Sequence, residues 1–214
     1  MIERAQLLKE YPSLHEVIAV SKTQSMDAIH QVSTYGYTHF GENKAQELIE
    51  KAKQGLPFTW HFIGHLQTNK VKDVVTHASW IHSVDSLKLL HAIQKECEKQ
   101  QKSVNVLIQV KLTDEESKSG CLIDELETLI QASLNHPWAT LKGLMVIGPN
   151  TENSVSIETV FKEAEALFKS KQAQYPQMTE LSMGMTHDYP LAIRHSATMI
   201  RIGTLLFGER KKHD

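Results

Sequence analysis

A handful of segments carry side chains able to do chemistry together. The first reads V-I-A-V-S-K-T and puts Lys22 directly after an apolar run. A lysine held in a partly buried mouth has a lowered pKa and can form a Schiff base with an aldehyde. A lysine that merely opens a solvated loop does not, and position alone favours that plainer role, because most lysines lie at the surface. The segment F-G-E-N-K-A-Q-E offers Asn43, which can cap the following helix or sit beside a bound ring; the two uses are compatible. The segment W-H-F-I-G-H-L-Q-T-N-K holds His61 and His65 four residues apart. That spacing invites a zinc reading, but the pair straddles a strand and a glycine turn and lacks the H-E-x-x-H helix. Among 12 histidines such a pair arises by chance, so no metal is expected and His61 is placed facing the interior, against a ligand or in the core.

Two late segments give the strongest signal. L-S-M-G-M-T-H-D and T-M-I-R-I-G-T carry Gly184 and Gly203, where backbone N–H groups can approach phosphate oxygens, and Ser182, Thr186 and Thr204, which add hydroxyls. Arg201 lies inside an apolar strand, and a buried unpaired charge is costly, so it calls for a partner. Ligand and core carboxylate are equally good partners on this evidence. A Schiff-base lysine facing a phosphate cradle describes a site for a small phosphorylated aldehyde. Pyridoxal 5′-phosphate (PLP) fits that description, and so does a sugar phosphate.

These residues need a scaffold that brings strand ends together. Short apolar runs at 17–21, 37–40, 59–63, 80–84, 104–110, 141–147, 180–183 and 198–202 alternate with amphipathic stretches at 26–35, 87–99, 124–134 and 157–171. Short helices are also expected after His65 and Asp188. Alternation of this kind builds a parallel α/β sheet. About eight strands leave about 27 residues for each βα unit, which consumes the chain and predicts a minimal (β/α)8 TIM barrel. The competing doubly wound sheet loses its dinucleotide form, because no G-x-G-x-x-G follows the first strand. No linker or composition shift divides residues 1–214, so one domain is expected.

Composition excludes other classes. With 23 basic and 25 acidic residues there is no basic excess to bind a nucleic-acid backbone. The 2 cysteines, Cys97 and Cys121, form no C-x-x-C pattern, which argues against a disulfide scaffold and for a reducing compartment. The first residues do not read as a signal peptide, and no run reaches the length of a membrane span. A soluble, cytoplasmic protein is expected, monomeric for want of a long exposed apolar stripe.

Taken in order, V-I-A-V-S-K-T, F-G-E-N, W-H-F-I-G-H-L-Q-T-N-K, S-K-S-G, L-K-G-L-M, L-S-M-G-M and M-I-R-I-G-T-x-x-F-G-E-R resemble the pyridoxal phosphate homeostasis protein family (the YggS/PROSC family) from about Val17 to Arg210. The resemblance implies a fold-type III barrel similar to the N-terminal domain of alanine racemase. It implies PLP in aldimine linkage to Lys22, with Asn43 and His61 near the cofactor and Ser182, Met183, Gly184, Arg201 and Gly203 around its ring and phosphate. It implies an arginine, Arg201, approaching the pyridine nitrogen. Arginine does not give up its proton, and an unprotonated ring is a weaker electron sink, so turnover is disfavoured. A chain of 214 residues also has no room for the β domain of a racemase. The expected role is therefore a non-catalytic PLP carrier in vitamin B6 and amino-acid homeostasis, with apo PLP-dependent enzymes as candidate recipients. The rivals are a racemase-like or decarboxylase-like enzyme, with His61 as its one candidate second acid/base, and a Schiff-base aldolase.

The chain departs from the family pattern in three places, and in the first the stretch before the first strand is short, which reduces the usual first helix to about Ile2–Lys9. H-S-A-T-M-I-R replaces the usual G-S-T-M-V-R, which puts Ala197 where the family serine touches phosphate and leaves neighbouring Ser196 as its substitute. G-M-T-H-D replaces G-M-S-D-D, so Thr186 keeps the hydroxyl and His187 changes the charge. Lys118 in E-E-S-K-S-G matches a family lysine and is read as a solvated loop residue, with secondary PLP attachment as its alternative.

Overall fold

The computed structural model describes residues 2–113, 115 and 119–209. The elements run α1 (Arg4–Glu10), β1 (Glu16–Val20), α2 (Met26–Ser33), β2 (His39–Glu42), α3 (Ala45–Ala52), β3 (Thr59–Phe62), α4 (Val71–His77), β4 (Trp80–Val84) and α5 (Leu87–Gln100). They continue β5 (Val104–Gln109), α6 (Ile123–Ser133), β6 (Ala139–Met145), α7 (Ser154–Gln174), β7 (Glu180–Met185), α8 (Tyr189–Arg194), β8 (Met199–Ile202) and α9 (Thr204–Phe207). Among the described residues no helix is long and apolar enough to cross a membrane.

The eight strands close in sequence order, and β1 pairs in parallel with β8 to complete the barrel. The doubly wound alternative is thereby excluded. Closure in parallel puts every strand's carboxyl end on one face, which is where such barrels place their sites. The strands form because their residues are apolar or β-branched and buried on both sides, as in β1 and β8. The helices form by burying an apolar side against the sheet, and α2, α5 and α7 also open on a side chain that accepts from their first turn. Ser25 accepts from the Ala28 amide to begin α2, which buries Ile29 and Val32. Asn153 accepts from the Val155 and Ser156 amides to begin α7. Cys97 and Cys121 are buried thiols, which burial pushes up to about 11 and about 12.

The apolar runs and the ladders differ in a consistent way. Ile63 and Ile147 lie just past the ends of β3 and β6 and line the barrel mouth. β2 runs later than its apolar run, through Gly41 and Glu42, because a buried lysine partner lets a glutamate occupy a strand. β6 starts earlier and carries a register shift opposite Val106 and Leu107. The shift brings Gly143 so close to β7 that an added Cβ would lie 1.8 Å from the Glu180 carbonyl oxygen. Gly143→Ala is therefore expected to force β6 and β7 apart and to cost about 3 kcal/mol, read as a lowered urea midpoint.

Candidate functional site

At the carboxyl end of the barrel lies a cavity of about 250 Å³. Val20, Ile63, Met145 and Ile147 give it apolar walls, and Lys22, Asn43, Thr186, His187 and Arg201 bring polar groups to it. Gly203 and Thr204 close the side formed by the loop after β8.

Lys22 stands two residues beyond β1, and the residues on both sides of it are pinned. The Ser21 amide donates to the Gly41 carbonyl at 3.0 Å, and the Ser21 hydroxyl donates to Glu42 Oε1 at 2.6 Å. Lys51 Nζ donates to the Ser21 carbonyl and to Glu42 Oε1, both at 2.7 Å. The Thr23 amide, in a left-handed backbone conformation, donates to Glu47 Oε2 at 2.6 Å. Burial pushes the Glu42 carboxyl up, while the bonds from Lys51 and Ser21 work against that rise. This buried cluster fixes the direction in which Lys22 leaves the sheet.

Asn43 does not cap α3. The residue at that position is Lys44, which makes no side-chain cap bond. Asn43 Oδ1 is instead buried without a hydrogen-bond partner at the cavity wall. A buried acceptor left unsatisfied costs about 1–3 kcal/mol, which marks a place for a ligand donor. The turn after β3 packs directly under Asn43, since a Cβ on Gly64 would lie 2.1 Å from the Asn43 carbonyl oxygen.

Arg201 is buried, and its guanidinium donates to Ser182 Oγ at 2.7 Å and to the Val146 carbonyl at 3.1 Å. Both partners are neutral. Burial pushes the group down to about 10, against a smaller raising influence from Asp188, so it remains cationic at neutral pH. The choice between ligand and core carboxylate is thus resolved against the carboxylate in contact: no ion pair to Arg201 exists among the described residues.

The two late loops meet where Thr186 Oγ1 accepts from the Gly203 amide at 3.2 Å. Ser182 lies below them, fully buried. Met183 belongs to the packed core rather than to the cavity. Gly184 serves packing: at φ +92°, a Cβ there would lie 2.6 Å from the Ala192 side chain on α8. Ser196 is a correction. It precedes β8, at the amino end of the barrel, and donates to Glu165 Oε1 at 2.6 Å. A four-residue strand separates it from Gly203, so neither Ser196 nor Ala197 reaches the mouth. Lys118 lies outside the described residues.

His61 is fully buried inside the barrel, behind the cavity rather than on its wall. Its Nδ1 lies 2.9 Å from His82 Nε2, and its Nε2 lies 2.9 Å from His39 Nδ1. Sequence reasoning passed over His39 and His82. The available signal was their recurrence on successive strands, 22 and 21 residues apart. These nitrogens face one another instead of converging on a point, and no metal-holding group of three or more side chains exists among the described residues. Burial, with the neighbouring rings and Arg201 adding to it, holds His61 and His82 well below the usual value of 6.5. Once unfolded they titrate near that value, so below it the unfolded chain binds more protons than the native one. Stability is expected to fall as pH drops through this window, by about 1 kcal/mol per pH unit for each ring. Urea unfolding at about pH 7.5 and about pH 5.5 checks it, and equal midpoints contradict it.

Comparison with known proteins matches residues 2–211 to the family model "Alanine racemase, N-terminal domain". The pyridoxal phosphate homeostasis protein of Pasteurella multocida is 39% identical over 211 residues, covering 96% of this chain and 91% of that protein. Its counterpart in Haemophilus influenzae is 41% identical over 201 residues, covering 91% and 85%. The structure of PipY from Synechococcus elongatus with PLP bound superposes with a TM-score of 0.86 at 38% identity, covering 96% of this chain and 98% of that one. Alanine racemase from Corynebacterium glutamicum shares the fold at a TM-score of 0.71 and 14% identity, covering 98% of this chain and 60% of that one.

Proposed function

The chain belongs to the pyridoxal phosphate homeostasis protein family, and from that premise we propose that it holds PLP through a covalent bond between Lys22 Nζ and the cofactor's aldehyde carbon, without turning over amino acids. The observation that carries this reading is Arg201: a buried cation with only neutral partners, opening on the same cavity as Lys22. The orphaned Asn43 Oδ1 on that cavity would likewise take a donor from a polar ligand held there. PLP supplies an electron-withdrawing ring that stabilises negative charge on a carbon attached through its aldehyde.

The residues of this chain favour holding over turnover. Arg201 would donate a hydrogen bond to the ring nitrogen and keep its own proton, which weakens electron withdrawal. Gly203, Thr204 and Thr186 would take the phosphate, with Thr186 turning from the Gly203 amide to do so. His61 has no route to a reacting carbon, because both of its ring nitrogens are taken by other histidines. Lys22 would hold the cofactor and move a proton on one face only. We further propose that the protein acts as a cytoplasmic monomer and passes PLP to apo PLP-dependent enzymes.

The test is to add PLP to the purified protein and then supply alanine labelled with deuterium at Cα. A visible band with the label retained is expected. Label lost to solvent faster than with free PLP would instead make it a racemase-like enzyme. Absence of a band at saturating PLP would overturn the reading.

A further inference from the structure

The three histidines stand in a longer series. Arg201 Nη1 donates to Ser182 Oγ at 2.7 Å, and Ser182 Oγ lies 3.0 Å from His82 Nδ1. His82 Nε2 meets His61 Nδ1, and His61 Nε2 meets His39 Nδ1, each at 2.9 Å. His39 Nε2 meets Glu16 Oε2 at 3.2 Å. Glu16, the first residue of β1, is clamped by Arg4 through two bonds of 2.8 Å and accepts from the Val17 amide at 2.9 Å. Trp80 stacks on His61 with the rings 8° from parallel, which fixes the orientation of that imidazole.

The two ends fix the direction. A guanidinium only donates and a carboxylate only accepts. Ser182 must therefore accept from Arg201 and has its own proton left for His82 Nδ1. A neutral imidazole has one donor and one acceptor, so His82 donates from Nε2 to His61, His61 from Nε2 to His39, and His39 from Nε2 to Glu16. The reverse direction sets the lone pair of His39 against a carboxylate oxygen and leaves the Ser182 proton without an acceptor. Burial, the first cause for each of the three rings, favours the neutral form that this arrangement needs.

We propose that Ser182, His82, His61 and His39 form a one-way chain of hydrogen bonds from Arg201 at the mouth to Glu16 at the amino end of the barrel, and that His82 and His61 are positioning residues for the Arg201 guanidinium. Val146 contributes one further acceptor to that guanidinium, and Ser182 contributes the other. Whether the Ser182 oxygen presents its lone pairs to Arg201 depends on where its proton points, and His82 decides that. The chain's effect on PLP rests on the reading of Arg201 given above; its effect on Arg201 itself does not.

Two measurements on cofactor-free protein test the chain. In protein with 15N-labelled histidine at neutral pH, His39, His61 and His82 are expected to carry their single proton on Nε2. A proton on Nδ1 of His61 or His82, or a doubly protonated ring, would overturn the assignment, and this measurement needs no variant to fold. In His82→Phe, solvent exchange of the Arg201 guanidinium protons is expected to quicken at least about tenfold over wild type. In His61→Phe, which alters neither of the two groups that Arg201 donates to, exchange is expected to quicken by about threefold. Unchanged exchange in both folded variants would show that Ser182 alone holds Arg201 and would overturn the positioning role. With PLP, His82→Phe is expected to weaken binding about tenfold while Lys22 attachment persists. If the wild type takes up no PLP, the functional reading fails, and the two cofactor-free measurements still decide the chain.

Discussion

Lys22→Ala is expected to abolish the visible band that PLP produces with the wild-type protein, and to leave the unfolding free energy within about 0.5 kcal/mol of wild type. The separation of the two effects follows from the surroundings. The neighbours pin the loop: Ser21 is held by Gly41, Glu42 and Lys51, and Thr23 is held by Glu47. Lys22 itself is half-buried and lies beyond the ladder of β1. Removing its side chain takes away the amine and leaves those bonds of Ser21 and Thr23 in place. Lys51→Met should do the opposite. It strands Glu42, already without a partner at Oε2, inside the barrel wall, and the protein should lose stability before it loses a nucleophile.

Arg201→Leu carries the second large effect, and its two consequences differ in size. A buried cation whose contacts are one hydroxyl and one carbonyl is held at the expense of its desolvation. Leucine removes that cost but leaves Ser182 Oγ and the Val146 carbonyl without their donor, so the urea midpoint should change little. PLP binding should weaken about 100-fold, since charge-assisted bonds in a buried site are worth about 1.5–3 kcal/mol each. A variant that loses stability and binds PLP as tightly as wild type would show that Arg201 is a structural cation. Fluorescence titration with PLP beside urea unfolding separates the cases.

The sequence made the barrel legible because its apolar runs and amphipathic stretches alternate at a spacing that only short βα units satisfy, and β4 begins and ends where its apolar run does. The mouth was legible in part. Lys22, Asn43, Thr186, Arg201 and Gly203 all stand on one cavity wall, and each sits at or just beyond a strand's carboxyl end, which strand order alone places together. Ser196 is misplaced by motif order alone, because a residue before a strand and a residue after it face opposite ends of a parallel barrel. Gly184 suits a phosphate opening by residue type alone, and the structure uses it for the approach of α8, a distinction that composition does not carry. The histidine series escaped because its members lie on three different strands, and only the register of the closed sheet turns a sequence interval into a 2.9 Å contact. Glu42 escaped for a related reason. A carboxylate in a strand reads as a turn until its lysine, nine residues later on a helix, is seen to reach it.

Lys22 is the residue expected to take the cofactor. The direct measurement is to load the protein with PLP, reduce it with borohydride, digest it and locate the added mass among its peptides. The added mass is expected on the segment that contains Lys22 and on no segment of Lys22→Ala. Modification of Lys118 or another lysine, with the Lys22 segment unmodified, would contradict it.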